Sequence, residues 1–130
     1  MNKIAQFLLE SKVFYLATAD NDQPRVRPFA AVAEWDGKTY ICTSNKKAVF
    51  KQMMENPKIE ISAMSGEKWL RFWGKVVVDP RMEARAAMIE ANPMLANMYK
   101  VDDGEFEVLY FTEAKALVYS FTGAPEELTL

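Results

Sequence analysis

The amino-acid sequence predicts a mostly β fold with flanking helices, in which antiparallel strands form a barrel. Strand-like runs follow one another with few helices between them, which favours antiparallel pairing over a doubly wound parallel sheet. Some runs, such as 13–19, are apolar on both faces, as expected of barrel strands whose outer side is covered. A barrel also removes the exposed edges of a small isolated sheet. At 130 residues, half of them hydrophobic, we expect one domain over residues 1–130.

The individual elements follow from hydrophobic periodicity and from turn residues. Apolar residues at helical spacing predict a helix over 2–10, and a second helix is expected to begin at Asn45 and stop at Pro57. Asp79-Pro80 and Asn92-Pro93 both have the pattern of an N-cap followed by proline at the first helical position. The expected strands cover 13–19, 25–33, 38–43, 58–64, 68–79, 106–111 and 117–121, with turns at 20–22 and at Asp36-Gly37.

Composition argues against several classes of function. The formal net charge of −2 is not that of a protein with a dense nucleic-acid-binding face. The chain has no histidine, which the usual serine or cysteine triads and most zinc sites require, so we expect no metal site and no hydrolytic chemistry. Chemistry is expected to come from a bound organic cofactor. No apolar run approaches the roughly 20 residues that span a bilayer, so a cytoplasmic protein without membrane contact is expected.

The stretch from 23 to 57 concentrates cationic side chains near a helix start. Arg25 and Arg27 lie on one strand, and Lys46-Lys47 follow the next strand at the beginning of the predicted helix. A hairpin brings these segments together, and a helix N-terminus with arginine and lysine nearby is a favourable site for phosphate. Lysines on a first turn can also be simply solvated, although that position is electrostatically poor for them. Cys42, the single cysteine, lies inside an apolar run and is expected to be a small buried hydrophobe.

The strand over 68–79 has aromatic residues on both faces. Leu70 and Phe72 alternate with Trp69 and Trp73, so the two pairs cannot both face the barrel interior. The tryptophan face therefore needs another cover, which could be a helix, a second subunit or a flat ligand.

Taken together, these motifs resemble the pyridoxamine 5′-phosphate oxidase-like FMN-binding split barrels. The matching motifs are Gln23-Pro24, Arg27-Pro28-Phe29, Tyr40-Ile41-Cys42-Thr43-Ser44, Lys46-Lys47, Asn56-Pro57 and Leu70-Arg71-Phe72-Trp73-Gly74. The resemblance implies a six-stranded antiparallel split β-barrel. It also implies a homodimer with FMN bound in a cleft at the subunit interface, and a small-molecule substrate.

The resemblance also implies roles for individual residues. Arg27 corresponds to the strand arginine that reaches the FMN phosphate, and Lys46 and Lys47 correspond to basic phosphate ligands. Backbone at Phe29 and Ala30 is implied to lie along the isoalloxazine edge. The positions that the family uses for ring and ribityl hydrogen bonds are Thr43 and Ser44. Trp73 either packs in the dimer interface or contacts the flavin from the partner subunit, and Arg25 is expected at the surface.

The implied activity is FMN-dependent electron transfer between a reduced nicotinamide and a small acceptor. No catalytic acid or base can be named from the sequence. The alternatives are a non-catalytic module that stores, senses or delivers flavin, and a cofactor-free interaction barrel. The C-terminal residues 122–130 lack the basic substrate-binding motif of true pyridoxamine phosphate oxidases, which argues against that activity. The nitroimidazole-reductase branch resembles the chain in size but uses a histidine near the flavin, and missing haem-ligand motifs argue against haem.

Overall fold

A computed structural model describes residues 1–130 and contains three α-helices and eight β-strands. The helices are α1 (Lys3–Ser11), α2 (Ala48–Glu55) and α3 (Met82–Ala91), and a 3₁₀ turn (Pro93–Asn97) follows α3. The strands are β1 (Phe14–Asp20), β2 (Gln23–Phe29), β3 (Ala33–Trp35), β4 (Lys38–Ser44), β5 (Lys58–Ser65), β6 (Lys68–Asp79), β7 (Phe106–Ser120) and β8 (Glu126–Leu128).

All strands belong to one antiparallel sheet. Its order is β2-β1-β5-β6-β7-β4-β3, and β8 pairs with β7 outside this path. The two end strands, β2 and β3, are consecutive in the chain and are joined by residues 30–32. The predicted class, a mostly β antiparallel fold of the split-barrel type with flanking helices, is confirmed, with eight strands instead of six.

The break between β2 and β3 corrects the prediction of one strand over 25–33. The chain leaves β2 at Phe29 and re-enters the sheet at Ala33, so residues 30–32 are free of strand pairing. The hairpin that follows is as expected. Asp36 and Gly37 have φ of 52° and 71°, the left-handed values that a two-residue Asp-Gly turn requires. Residues 30–32 therefore connect the two end strands of the sheet without pairing to a strand themselves.

Strand β7 corrects a second prediction, that of two separate strands over 106–111 and 117–121. The register with β6 shifts at Gly74, which lies opposite both Glu113 and Ala114. This β-bulge accommodates the extra residue, with Glu113 at φ 49°, so the strand continues instead of ending. A Cβ atom on Gly74 would lie 2.7 Å from the Ala114 Cβ, which explains why only glycine fits there. The added strand β8 was not predicted.

The helix starts also differ from expectation. Helix α2 begins at Ala48 with Lys47 as its N-cap, instead of at Asn45. Asp79 does not cap α3; it remains in β6, where its buried carboxylate accepts hydrogen bonds from the Tyr40 hydroxyl at 2.7 Å and from the Arg81 guanidinium at 2.9 Å. These bonds hold Asp79 in the sheet, and α3 begins only at Met82. Asn92-Pro93 does begin a short helical segment, the 3₁₀ turn.

Two hydrophobic clusters meet at β4. The larger cluster fills the barrel interior between β1, β5, β6, β7 and helices α1 and α2, and Ile41 of β4 belongs to it. The smaller lies beneath α3 and the 3₁₀ turn and contains Tyr40 and Cys42. Strand β4 is therefore buried on both faces, which explains its continuous apolar run. Its C-terminal end lies beside the start of α2 and the 3₁₀ turn.

Candidate functional site

A pocket of about 270 Å³ lies where four segments meet. These are the end of β2 with residues 30–31, the end of β4, the start of α2, and the 3₁₀ turn with the residues beside it. The lining residues include five that the sequence singled out, which are Arg27, Phe29, Ala30, Thr43 and Lys47. Arg27 and Lys47 are the two cationic side chains of the lining, and the 3₁₀-turn side is apolar, with Met94, Leu95 and Met98.

Three neutral oxygen atoms hold the Arg27 guanidinium. Its Nη1 donates to the Leu16 carbonyl at 3.2 Å and to the Thr18 hydroxyl at 2.8 Å, and its Nη2 donates to Gln52 Oε1 at 2.8 Å. These partners lie on β1 and α2, so two elements fix an arginine that β2 supplies. The side chain is thus held in place without an ion pair.

The charge of Arg27 is consequently uncompensated. None of its three hydrogen-bond acceptors is a carboxylate, and the side chain is only partly exposed. Burial, followed by the nearby charge of Arg25, lowers the pKa of Arg27 below its ordinary value. Arg25 itself is exposed and pairs with Asp20 at 3.2 Å. A partly buried cation without a counter-ion favours binding of an external anion.

The start of α2 offers further donors. Lys47 is the N-cap residue, and its side chain makes no capping hydrogen bond. No acidic residue lies in the first turn, so no carboxylate of the helix itself balances the positive end of its dipole. The side chain of Lys47 lines the pocket and is exposed. Together with Arg27, this helix start makes the pocket suitable for a phosphate group.

Lys46 and Ser44 contact Glu105, whereas Lys47 lines the pocket. The Lys46 ammonium lies 3.8 Å from Glu105 Oε2 with a side chain that is 77% exposed. The Ser44 hydroxyl donates to Glu105 Oε1 at 2.7 Å and accepts from the Lys46 backbone amide. Neither residue lines the pocket. Both instead bind the residue that leads into β7.

Thr43 and Cys42 line the pocket from the end of β4. Thr43 is buried except toward the pocket, and its hydroxyl makes no hydrogen bond within the chain, so it is available to a ligand. Burial raises the pKa of the Cys42 thiol to about 12, and the nearby charge of Lys47 opposes this effect. Cys42 is therefore a protonated, buried side chain, as the sequence predicted, and not a reactive thiolate.

Trp73 lies away from this pocket. It faces outward from β6 and lines a separate recess of about 590 Å³ beside the turn between β1 and β2. The Arg71 guanidinium carbon lies 5.5 Å from its ring centre. Trp69 stacks on Tyr119 at 5.3 Å between ring centres, so β7 covers part of the tryptophan face.

Sequence reasoning missed two residues that contact Arg27. Thr18 is the polar member of the inward-facing series Phe14, Leu16 and Thr18 on β1, and this break in an apolar series was a usable signal. Gln52 gave no comparable signal, because a glutamine on a short helix is ordinary. The contribution of the 3₁₀ turn to the pocket wall was also missed, because tertiary packing brings this turn beside the ends of β2 and β4.

Comparison with known proteins identifies relatives across most of the chain. The family model described as pyridoxamine 5′-phosphate oxidase matches residues 1–117. A NimC/NimA family protein from Clostridium acetobutylicum is 51% identical, with a TM-score of 0.95 over 98% of this chain and 90% of that chain. No curated protein matches the chain closely enough to count as a relative.

Two more distant structures share the fold. General stress protein 26 from Bacillus anthracis is 15% identical, with a TM-score of 0.74 over 97% of this chain and 96% of that chain. A heme binding protein from Mycobacterium smegmatis is 16% identical, with a TM-score of 0.74 over 96% of this chain and 57% of that chain. None of the helices described above has the length and apolar character needed to cross a membrane.

The contrast between adjacent lysines gives the first prediction. For FMN, the ligand that we propose below, Lys47→Met should weaken binding by about 10-fold, because a charge-assisted contact at the pocket is lost. Lys46→Met is the matched control and should change the affinity little, because its ammonium already faces Glu105. Fluorescence titration of FMN against both variants measures the difference. Equal losses, or a larger loss for Lys46→Met, would contradict this assignment.

Proposed function

Because the chain belongs to the pyridoxamine 5′-phosphate oxidase family, we propose that it is an FMN-binding oxidoreductase. It transfers electrons between a reduced nicotinamide and a small acceptor, with the phosphate of FMN beside Arg27 and the start of α2. The observation that carries the proposal is the uncompensated Arg27 beside the uncapped start of α2. A guanidinium held in place but left without a counter-ion favours a dianionic phosphate.

The residues present fit this cofactor. Arg27 and Lys47 supply positive charge, the first amides of α2 supply backbone donors, and the free hydroxyl of Thr43 supplies a polar contact along the same wall. Residues 29–31 lie outside strand pairing or at its end, so their backbone groups are available to the edge of a flat ring. Bound FMN supplies the redox chemistry, since the pocket contains neither histidine nor a thiolate.

The size of the pocket favours a shared site. Its volume of about 270 Å³ is below the range of about 300–1,000 Å³ that pockets for drug-sized ligands occupy. We therefore extend the proposal to a homodimer in which a second copy covers the rest of the flavin. Trp73, at a distance from this pocket in its own chain, is then available either to the interface or to the flavin of the partner.

The outer face of the sheet supports the dimer. Tyr15, Val26 and Met64 are 52%, 67% and 60% exposed, and strand register places them on the same face as Trp69 and Trp73. Exposed apolar side chains gathered on one face, here around the Glu60–Arg71 ion pair, are typical of an interaction surface. Covering this face with an identical face would form a closed two-fold interface.

The cofactor and the reaction are tested on the purified protein. We expect it to retain or take up FMN, with the absorption bands of an oxidised flavin. Anaerobic stopped-flow mixing with NADH or NADPH should bleach these bands, and an added acceptor should restore them. Bound flavin that no nicotinamide bleaches over minutes would support the alternative, a non-catalytic flavin-binding module. A colourless protein that takes up no FMN would contradict both.

The oligomeric state is tested by analytical ultracentrifugation. We expect a dimer at micromolar concentrations, with one FMN per chain, because the apolar outer face is covered on association. The measurement is made with and without added FMN, so that dimers formed only on cofactor binding are detected. A monomer under both conditions would rule out the shared site.

A further inference from the structure

We propose that Gln52 is a positioning residue that holds Arg27 in place for the phosphate while leaving its charge uncompensated. The inference rests on the proposed function, because it concerns the same phosphate site. It starts from a ring of three hydrogen bonds between Arg27, Thr18 and Gln52. These residues come from β2, β1 and α2.

The direction of every bond in this ring is determined by its chemistry. Arginine can only donate, so Arg27 donates to the Thr18 hydroxyl at 2.8 Å and to Gln52 at 2.8 Å. The hydroxyl of Thr18 uses its single hydrogen toward Gln52, at 2.6 Å. Gln52 therefore has to present its carbonyl oxygen, Oε1, to both neighbours. The amide nitrogen of Gln52 is left without a hydrogen-bond partner in the chain.

A carboxylate would satisfy the same two donors equally well. Glutamate has the shape of glutamine and would accept from Thr18 and Arg27 in the same geometry. It would also pair with the guanidinium and cancel the charge that distinguishes this site. Since α2 carries a neutral amide here, the site keeps the geometry of an arginine clamp without the ion pair. This is the arrangement required if the anion comes from the ligand.

The ring also connects phosphate binding to the two elements around it. Thr18 is buried in the inward series of β1, and Gln52 lies one turn along α2 from Lys47 and Ala48. Hence α2 contributes to the phosphate site twice, through its uncapped start and through the side chain that fixes Arg27. A merely structural bond would not require a neutral acceptor at this position.

Substitution of Gln52 by Glu separates positioning from general stability. In Gln52→Glu the hydrogen bonds persist and a counter-ion appears, so the melting temperature without ligand should equal or exceed that of the wild type. The affinity for FMN should fall by at least about 10-fold, because the carboxylate cancels the charge of Arg27 and repels the phosphate. Riboflavin, which lacks the phosphate, should bind both proteins alike.

Two further variants complete the experiment. Gln52→Met keeps the volume but removes the acceptor, so FMN affinity should fall by less than in Gln52→Glu, again with riboflavin unaffected. Lys51→Gln is the control for net charge, because it changes the charge by the same amount one residue away on an exposed side chain. It should leave the preference for FMN over riboflavin nearly unchanged.

The outcomes distinguish this inference from the proposed function. If the wild type prefers FMN to riboflavin and Gln52→Glu keeps that preference, the role of Gln52 is refuted while the phosphate site stands. Equal losses of FMN and riboflavin binding with a lower melting temperature would mean that Gln52 is only structural. If the wild type binds neither ligand, the proposed function fails, and this inference fails with it.

Discussion

The positive charge of Arg27, held in place by neutral acceptors, is the constraint on which the proposed site depends. An arginine in a partly buried position usually obtains a carboxylate, because desolvation of the guanidinium is costly without one. Here a backbone carbonyl, a hydroxyl and an amide take that place. They fix the direction of the side chain but supply no opposite charge. The folded chain therefore carries an electrostatic cost that the anion we propose as ligand would relieve.

The fold places the Arg27 side chain at the pocket. The sheet is interrupted between β2 and β3, and residues 30–32 cross the gap without strand pairing. Strand β4 ends at the same point, and α2 starts there with Lys47 at its cap. The 3₁₀ turn after α3 covers the other side with apolar residues. Cationic and apolar side chains thus line one pocket because four chain segments end, begin or turn together.

The sequence was sufficient for the general class of the fold, and several residues that it singled out come together at one pocket. Alternation on β5 and β6 and the Asp36-Gly37 turn predicted the sheet, and Arg27, Thr43 and Lys47 do line one pocket. The sequence could not show that Lys47 lines the pocket while Lys46 does not. That difference depends on Glu105, which is remote in sequence and lies beside Lys46 only after β4 pairs with β7. The continuity of β7 likewise depends on the bulge opposite Gly74 and has no local signal.

The hydrogen-bond acceptors of Arg27 could not be predicted from the local sequence either. Local sequence indicates that an arginine lies on a strand, but whether its partners are neutral or acidic is decided by β1 and α2. The anion preference that we propose for the site therefore depends on tertiary structure. It follows from which side chains of other elements reach the guanidinium, and family resemblance alone would not reveal Thr18 or Gln52.

The most direct measurement of the central claim is a double cycle between Arg27 and the phosphate of the ligand. FMN and riboflavin are titrated against the wild type and Arg27→Ala. We expect the substitution to weaken FMN binding by about 10- to 100-fold, as for loss of a charge-assisted hydrogen bond of about 1.5–3 kcal/mol. Riboflavin should bind both proteins equally. A coupling near zero between the substitution and the phosphate would contradict the account, because Arg27 would then be only a structural arginine.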